Sequence, residues 1–101
     1  YSFSDELTKE AMLKVYSESG YIMDPHGAVG YLGLKKFLKA HPNTQGIFLE
    51  TAHPVKFLEV VEPVIDKKIE LPIQIQEVID KTKEALFIRY YSELKQFLLI
   101  L

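Results

Sequence analysis

Apolar positions between Leu7 and Tyr16 fall on one helical stripe: Leu7, Ala11, Met12, Val15 and Tyr16 recur at spacings suited to a single helix face. Ser4 precedes the stripe as an N-cap, Asp5 and Glu6 place negative charge in the first turn, and Gly20 closes it. The pattern predicts a helix over about 5–19. Asp24 and Pro25 repeat the start signal, since proline at the first helical position lacks only an N–H that would be orphaned anyway. A second helix is therefore predicted over roughly 25–40, closed by "HPN", with Ala28, Val29, Leu32, Leu34, Phe37 and Leu38 on its apolar face. Gly27, Gly30 and Gly33 fall within about a 120° sector of that helix. Each costs roughly 1 kcal/mol against alanine, so the ladder predicts a ligand or a neighbouring helix close to the backbone.

Beyond the turn, "GIFLETA" at 46–52 is a short apolar run, too short for a helix, and reads as a buried strand. Pro54 then starts a third helix, with Phe57, Leu58, Val61 and Ile65 inward and Pro63 kinking or ending it near 62–66. Ile73, Ile75, Val78 and Ile79 suggest a short helical segment around 73–81. "EALFIRYY" is β-prone, giving a second strand over 85–90, and Ser92 is placed to cap a last helix holding Leu94, Phe97 and Leu98. One continuous helix from 82 to the end is the alternative. The fold class is α/β, mainly helices with one or two short strands. No repeat or linker interrupts it, so 1–101 is expected to form a single domain.

Composition narrows the chemistry. With 48% apolar residues the chain should fold around one small core. Its charges nearly cancel to −2, which leaves no long-range field to hold nucleic acid or an anionic membrane. There is no cysteine, so disulfides and thiolate zinc sites are excluded and the cytoplasm is the default compartment. "FLLIL" at 97–101 is far short of the roughly 20 apolar residues of a spanning helix. The chain opens on "YSFSDE", which reads as the end of a connection and suggests a piece of something longer.

Chemistry-bearing residues concentrate in "LETAHPVKF" at 49–57. A strand ending in Thr51 and passing into a helix at Pro54 puts a hydroxyl at the carboxyl edge of a sheet, where open α/β folds bind ligands. His53 precedes a helix-starting proline and reads as a cap or packing residue, Lys56 as a solvated lysine, Asp24 as the cap of helix two, and His26 as structural. His26, His41 and His53 share no recognised metal-ligand spacing, and Ser17, Ser19 and Ser92 lack a nucleophile elbow. Lys35, Lys36 and Lys39 form a solvated face without the aromatic interleaving of a nucleic-acid platform. No metal site and no catalytic residue is assigned within the chain.

Two blocks, "GYIMDPHGAVG" at 20–30 and "TAHPVKF" at 51–57, in this order, resemble the C-terminal portion of the threonine synthase family, which carries G-Y-x-x-D-P-H-T-A-V and T-A-H-P-A-K-F blocks. "SDEL" before the first and "ELP" after the second extend the resemblance over about residues 4–72. Gly27 stands where the family commonly has threonine, and Val55 where it has alanine. The resemblance implies a tryptophan synthase β-like fold and a parent enzyme that uses pyridoxal phosphate to convert O-phosphohomoserine and water to threonine and phosphate. It also implies that Thr51 binds the cofactor, facing its pyridine nitrogen. Such an enzyme needs a Schiff-base lysine and a glycine-rich phosphate loop. Neither motif occurs here, so both are expected upstream, and the chain by itself should neither hold the cofactor nor catalyse.

The remainder of the enzyme is then the implied partner, and without it the strand's edges and apolar face favour self-association. A different class of reading is a stand-alone, non-enzymatic helical interaction module whose glycine ladder receives a partner helix. Related pyridoxal-phosphate enzymes such as cysteine synthase or threonine dehydratase are weaker matches, because they lack the T-A-H-P-x-K-F block.

Overall fold

The computed structural model describes all residues, Tyr1–Leu101. The chain divides into two compact units, Tyr1–Leu71 and Pro72–Leu101. In the first, α1 (Asp5–Ser19) packs against α2 (Pro25–Ala40) and α3 (Leu58–Ile65), and a 3₁₀ turn, Pro54–Phe57, leads into α3. The second holds α4 (Ile73–Gln76) and α5 (Tyr91–Ile100). No helix is long and apolar enough to cross a membrane.

The end signals of the first two helices act as the sequence predicts. Ser4 Oγ accepts from Leu7 N at 3.3 Å, and Gly20, at φ 73°, donates its N–H to the Tyr16 carbonyl at 2.8 Å. That left-handed cap is the conformation glycine adopts without a Cβ penalty. Asp24 caps α2 by accepting the His26 N–H at 2.8 Å. Pro63 neither ends nor visibly interrupts α3, which runs two residues further before Asp66 closes it at φ 50°. In so short a helix the lost proline N–H removes a single bond.

Ala11 and Met12 of α1, Met23, Ala28 of α2, and Val61 and Ile65 of α3 form the buried core. Leu7, predicted to face inward, is exposed, and the neighbouring Thr8 is buried instead. Thr8 tolerates that position because its hydroxyl donates to the Ser4 carbonyl at 2.9 Å. On α2 the buried face is narrower than predicted: Val29 and Phe37 are exposed, Phe37 stacking on His41 at 4.1 Å between ring centroids.

Neither predicted strand forms. Residues 46–52 and 85–90 carry no strand, because a strand exists only as one side of a hydrogen-bonded ladder and no other segment pairs with either. Ser92 does not cap α5; it lies inside the helix, and Glu93 supplies the cap by accepting the Arg89 and Tyr90 N–H groups at 2.9 and 3.2 Å. The helical segment predicted over 73–81 shortens to Ile73–Gln76 followed by turns, and no residue of the second unit is buried.

The first β-prone segment nevertheless keeps a period of two. Phe48, Glu50 and Ala52 are half-buried, whereas Ile47, Leu49 and Thr51 are exposed. The inward set lies along α2 in a fixed register: Gly46 meets Leu34, Phe48 meets Gly30, and Glu50 meets Gly27. Two of the three ladder glycines, Gly27 and Gly30, thus receive the chain's own 46–50 segment, running antiparallel to α2, while Gly33 faces the Tyr1 ring. Two steps of extended chain, roughly 6.6 Å, nearly match three to four helical residues, about 4.5–6 Å.

This register makes two glycines of one helix respond in opposite ways to the same change. A Cβ at Gly30 would sit 3.5 Å from Phe48, in ordinary contact, so Gly30→Ala should stabilise by up to about 1 kcal/mol through helix propensity. A Cβ at Gly27 would overlap the Glu50 carboxyl, so Gly27→Ala should destabilise by about 1–3 kcal/mol. Denaturant unfolding of the two variants checks both signs.

Candidate functional site

The N-terminus of α2 and the 46–52 segment meet around two carboxyl groups. Asp24 is fully buried and Glu50 half-buried, and the Asp24 N–H donates to Glu50 Oε1 at 2.8 Å. Asp24 Oδ1 accepts the His26 N–H and lies 2.9 Å from His26 Nδ1. Since that oxygen can only accept from the ring, Nδ1 carries the proton. His26 is otherwise exposed, its ring tilted against Phe57 with 5.0 Å between centroids.

Each carboxyl keeps one buried oxygen, Asp24 Oδ2 and Glu50 Oε2, that nothing satisfies if both groups are ionised. Two buried carboxyl groups within side-chain hydrogen-bonding reach of each other call for one shared proton. Burial, then the hydrogen bond to the Asp24 side chain, push the Glu50 carboxyl up to about 7 against the opposing pull of the Asp24 N–H. Burial would raise Asp24 too, but hydrogen bonds from Glu50, from His26 and from the Gly27 backbone outweigh it and hold Asp24 below the ordinary carboxylate range. The proton therefore resides on Glu50, and Asp24 is the carboxylate that receives it. Burial and the negative charge of the pair also raise the neighbouring Tyr21 phenol.

Immediately after Glu50 the chain turns outward. Thr51 is exposed and lines a shallow concavity of about 500 Å³ together with Tyr21, Glu50, His53, Pro54 and Lys56. Its hydroxyl has no hydrogen-bond partner within the chain, unlike Thr8. His53 is fully occupied as a cap: its Nδ1 accepts the Val55 N–H at 3.1 Å, which leaves the ring proton on Nε2. Lys56, in the 3₁₀ turn, is exposed.

Sequence reasoning brought Thr51, His53, Lys56, Asp24 and His26 to notice, and the fold places Thr51, His53 and Lys56 on one rim with Asp24 and His26 behind it. It missed Glu50. The signal was present, since an acidic residue at an inward position of an otherwise apolar run demands a partner, and the glycine at position 27 marks the space it fills.

Glu50 also sets the sign of the pH response. A carboxyl whose value rises on folding from 4.5 to about 7 contributes stability that is complete below 4.5 and lost as pH rises through 7. Asp24, lowered on folding, contributes in the opposite sense and loses its share only on acidification. Stability should therefore fall between about pH 4.5 and 7, with a slope of up to about 1.4 kcal/mol per pH unit. Glu50→Gln, whose amide donates to Asp24 at every pH, should flatten that slope. Unfolding free energies at pH 5 and pH 8 for both proteins check it.

Residues 27–97 match the family model described as threonine synthase, C-terminal. Relatives named threonine synthase include one from Buchnera aphidicola subsp. Acyrthosiphon pisum, 40% identical over 99 residues, covering 97% of this chain and 22% of the relative. Those from Haemophilus influenzae and Escherichia coli are 45% identical over 78 residues and 38% over 80, covering 77% and 79% of this chain and 17% and 18% of the relatives. The chain thus spans about a fifth of the length of the curated relatives it matches. No solved structure matches it significantly. With seven-tenths of its length inside the family model, this chain belongs to the threonine synthase family, of which it represents the C-terminal portion.

Proposed function

We propose that the chain is the C-terminal domain of a lyase that converts O-phospho-L-homoserine and water to L-threonine and phosphate with pyridoxal phosphate, in the cytoplasm. Family membership supplies the reaction class. The observation that carries the site is the Thr51 hydroxyl, exposed, without an internal partner, and held at the rim of a concavity by a segment whose inward residues are fixed on α2.

The donor set fits one part of the cofactor. A hydroxyl donates to a neutral aromatic nitrogen without delivering a full proton, whereas a carboxylate at the same place would favour the protonated ring. Thr51 would hold the pyridine nitrogen in that way, and Tyr21 and His53 would form the adjacent wall. When bound, pyridoxal phosphate supplies the electron sink for negative charge developing on the substrate, and a hydroxyl partner moderates that sink. The Schiff-base lysine and phosphate loop belong to the remaining four-fifths of the enzyme, so the chain alone is inactive.

That remainder is also the partner that completes the fold as a tryptophan synthase β-like domain. Ile47 and Leu49 are 92% and 77% exposed on the face that carries Thr51, more apolar surface than a solvated loop would show. Pairing of the 46–52 backbone with an upstream strand would bury both side chains and close the concavity over the hydroxyl.

Thr51→Val in the full-length enzyme removes the donor at nearly constant volume. Turnover should fall roughly ten- to hundredfold and the cofactor absorbance should shift, while Thr51→Ser preserves both. Unchanged turnover and spectrum in the valine variant would overturn the assignment.

A further inference from the structure

We infer that Glu50 is a positioning residue for Thr51: as a neutral acid it donates its proton to the Asp24 carboxylate, and this bond latches the hydroxyl-bearing segment onto the N-terminus of α2. The inference rests on the reading of Thr51 given above and adds to it the group that sets where the hydroxyl stands.

Three observations converge on the latch. The Asp24 N–H donates to Glu50 Oε1 at 2.8 Å, so the Glu50 carboxyl is already docked by one oxygen. The other oxygen of each carboxyl, Asp24 Oδ2 and Glu50 Oε2, is buried without any other partner, and one proton between them satisfies both. Gly27 leaves open the volume the Glu50 carboxyl occupies. Asp24 is in turn fully buried and bonded to the His26 N–H and ring.

Thr51 follows Glu50 directly, so a displacement of the carboxyl moves the hydroxyl's own backbone. The first internal hydrogen bond after the segment is the His53 cap two residues on, which leaves Glu50 as the nearest polar anchor on the side of α2. Loss of the shared proton sets two carboxylates against each other in a buried site and opens the latch. The other titratable groups around it are Tyr21, raised by the negative charge of the pair, His26 on Asp24, and His53 and Lys56 across the concavity. None offers Asp24 Oδ2 or Glu50 Oε2 an alternative donor.

The test uses the full-length holoenzyme with Glu50→Gln, Glu50→Ala, Thr51→Val and the Glu50→Ala/Thr51→Val double variant. Infrared difference spectra against Glu50→Gln should show a protonated carboxyl that disappears as pH rises through about 7. Turnover and cofactor absorbance of the wild type should change over the same interval, and Glu50→Gln should remove that pH dependence. Glu50→Ala should lower turnover roughly tenfold or more, by misplacing the hydroxyl. The double variant should be no worse than Thr51→Val alone, since residues acting through one another do not add. A purely structural Glu50 would instead give additive losses, or a pH profile that Glu50→Gln leaves in place, and either result overturns the inference. If Glu50→Ala does not fold, the infrared signal and the Glu50→Gln profile decide. Thr51→Val distinguishes the two failures: a silent Thr51→Val defeats the cofactor reading, whereas a damaging Thr51→Val beside a silent Glu50→Gln and an absent carboxyl signal defeats the latch alone.

Discussion

The contact between the carboxyl groups of Asp24 and Glu50 constrains everything around the candidate site. The bonds Asp24 accepts from the His26 N–H and ring favour its ionised form, and a second ionised carboxyl beside it would be repelled from the same buried space. One proton resolves the conflict. It lets the Glu50 carboxyl occupy the space a Cβ at position 27 would fill, in the register in which Phe48 meets Gly30 and Gly46 meets Leu34. The direction in which Thr51 leaves the helix follows from the same register.

Local signals in the sequence carried much of this architecture. The starts and ends of α1 and α2 were legible because serine, aspartate, proline and glycine act within one turn of where they stand. The close approach to the glycine ladder was legible as a cost that needed a cause, although the cause proved to be an extended segment. The two strands were read from composition that favours pairing, and pairing depends on a second segment that no local pattern reveals. Ser92 was a sound cap by residue type, yet Glu93 reaches the N–H groups of Arg89 and Tyr90 from inside the helix and the cap falls at Tyr90, two residues earlier.

At the site, residue type was informative where the chemistry is local and silent where it is relational. His53 was legible as a cap because it precedes proline, and Asp24 because it precedes a helix. Glu50 escaped because its protonation state exists only through Asp24, 26 positions earlier. The segment, read as a strand because it is a short apolar run, alternates with a period of two in which side chains are covered, so it retains the form of a strand while lacking its ladder.

That alternation divides the work of the segment between its two faces. Phe48, Glu50 and Ala52 face inward and determine where the segment lies; Ile47, Leu49 and Thr51 face outward and determine what it can meet. Changes on the inner face should therefore alter pH dependence and stability together, whereas a change at the exposed Thr51 should have little effect on the fold. An exposed threonine with no internal bond contributes almost nothing to holding this chain together, and the inner face that aims it uses a buried acid at some expense in stability above neutral pH. A costly anchor behind a structurally idle hydroxyl is the arrangement that the proposed cofactor contact would call for, since that contact depends on the hydroxyl's direction rather than on the segment's stability.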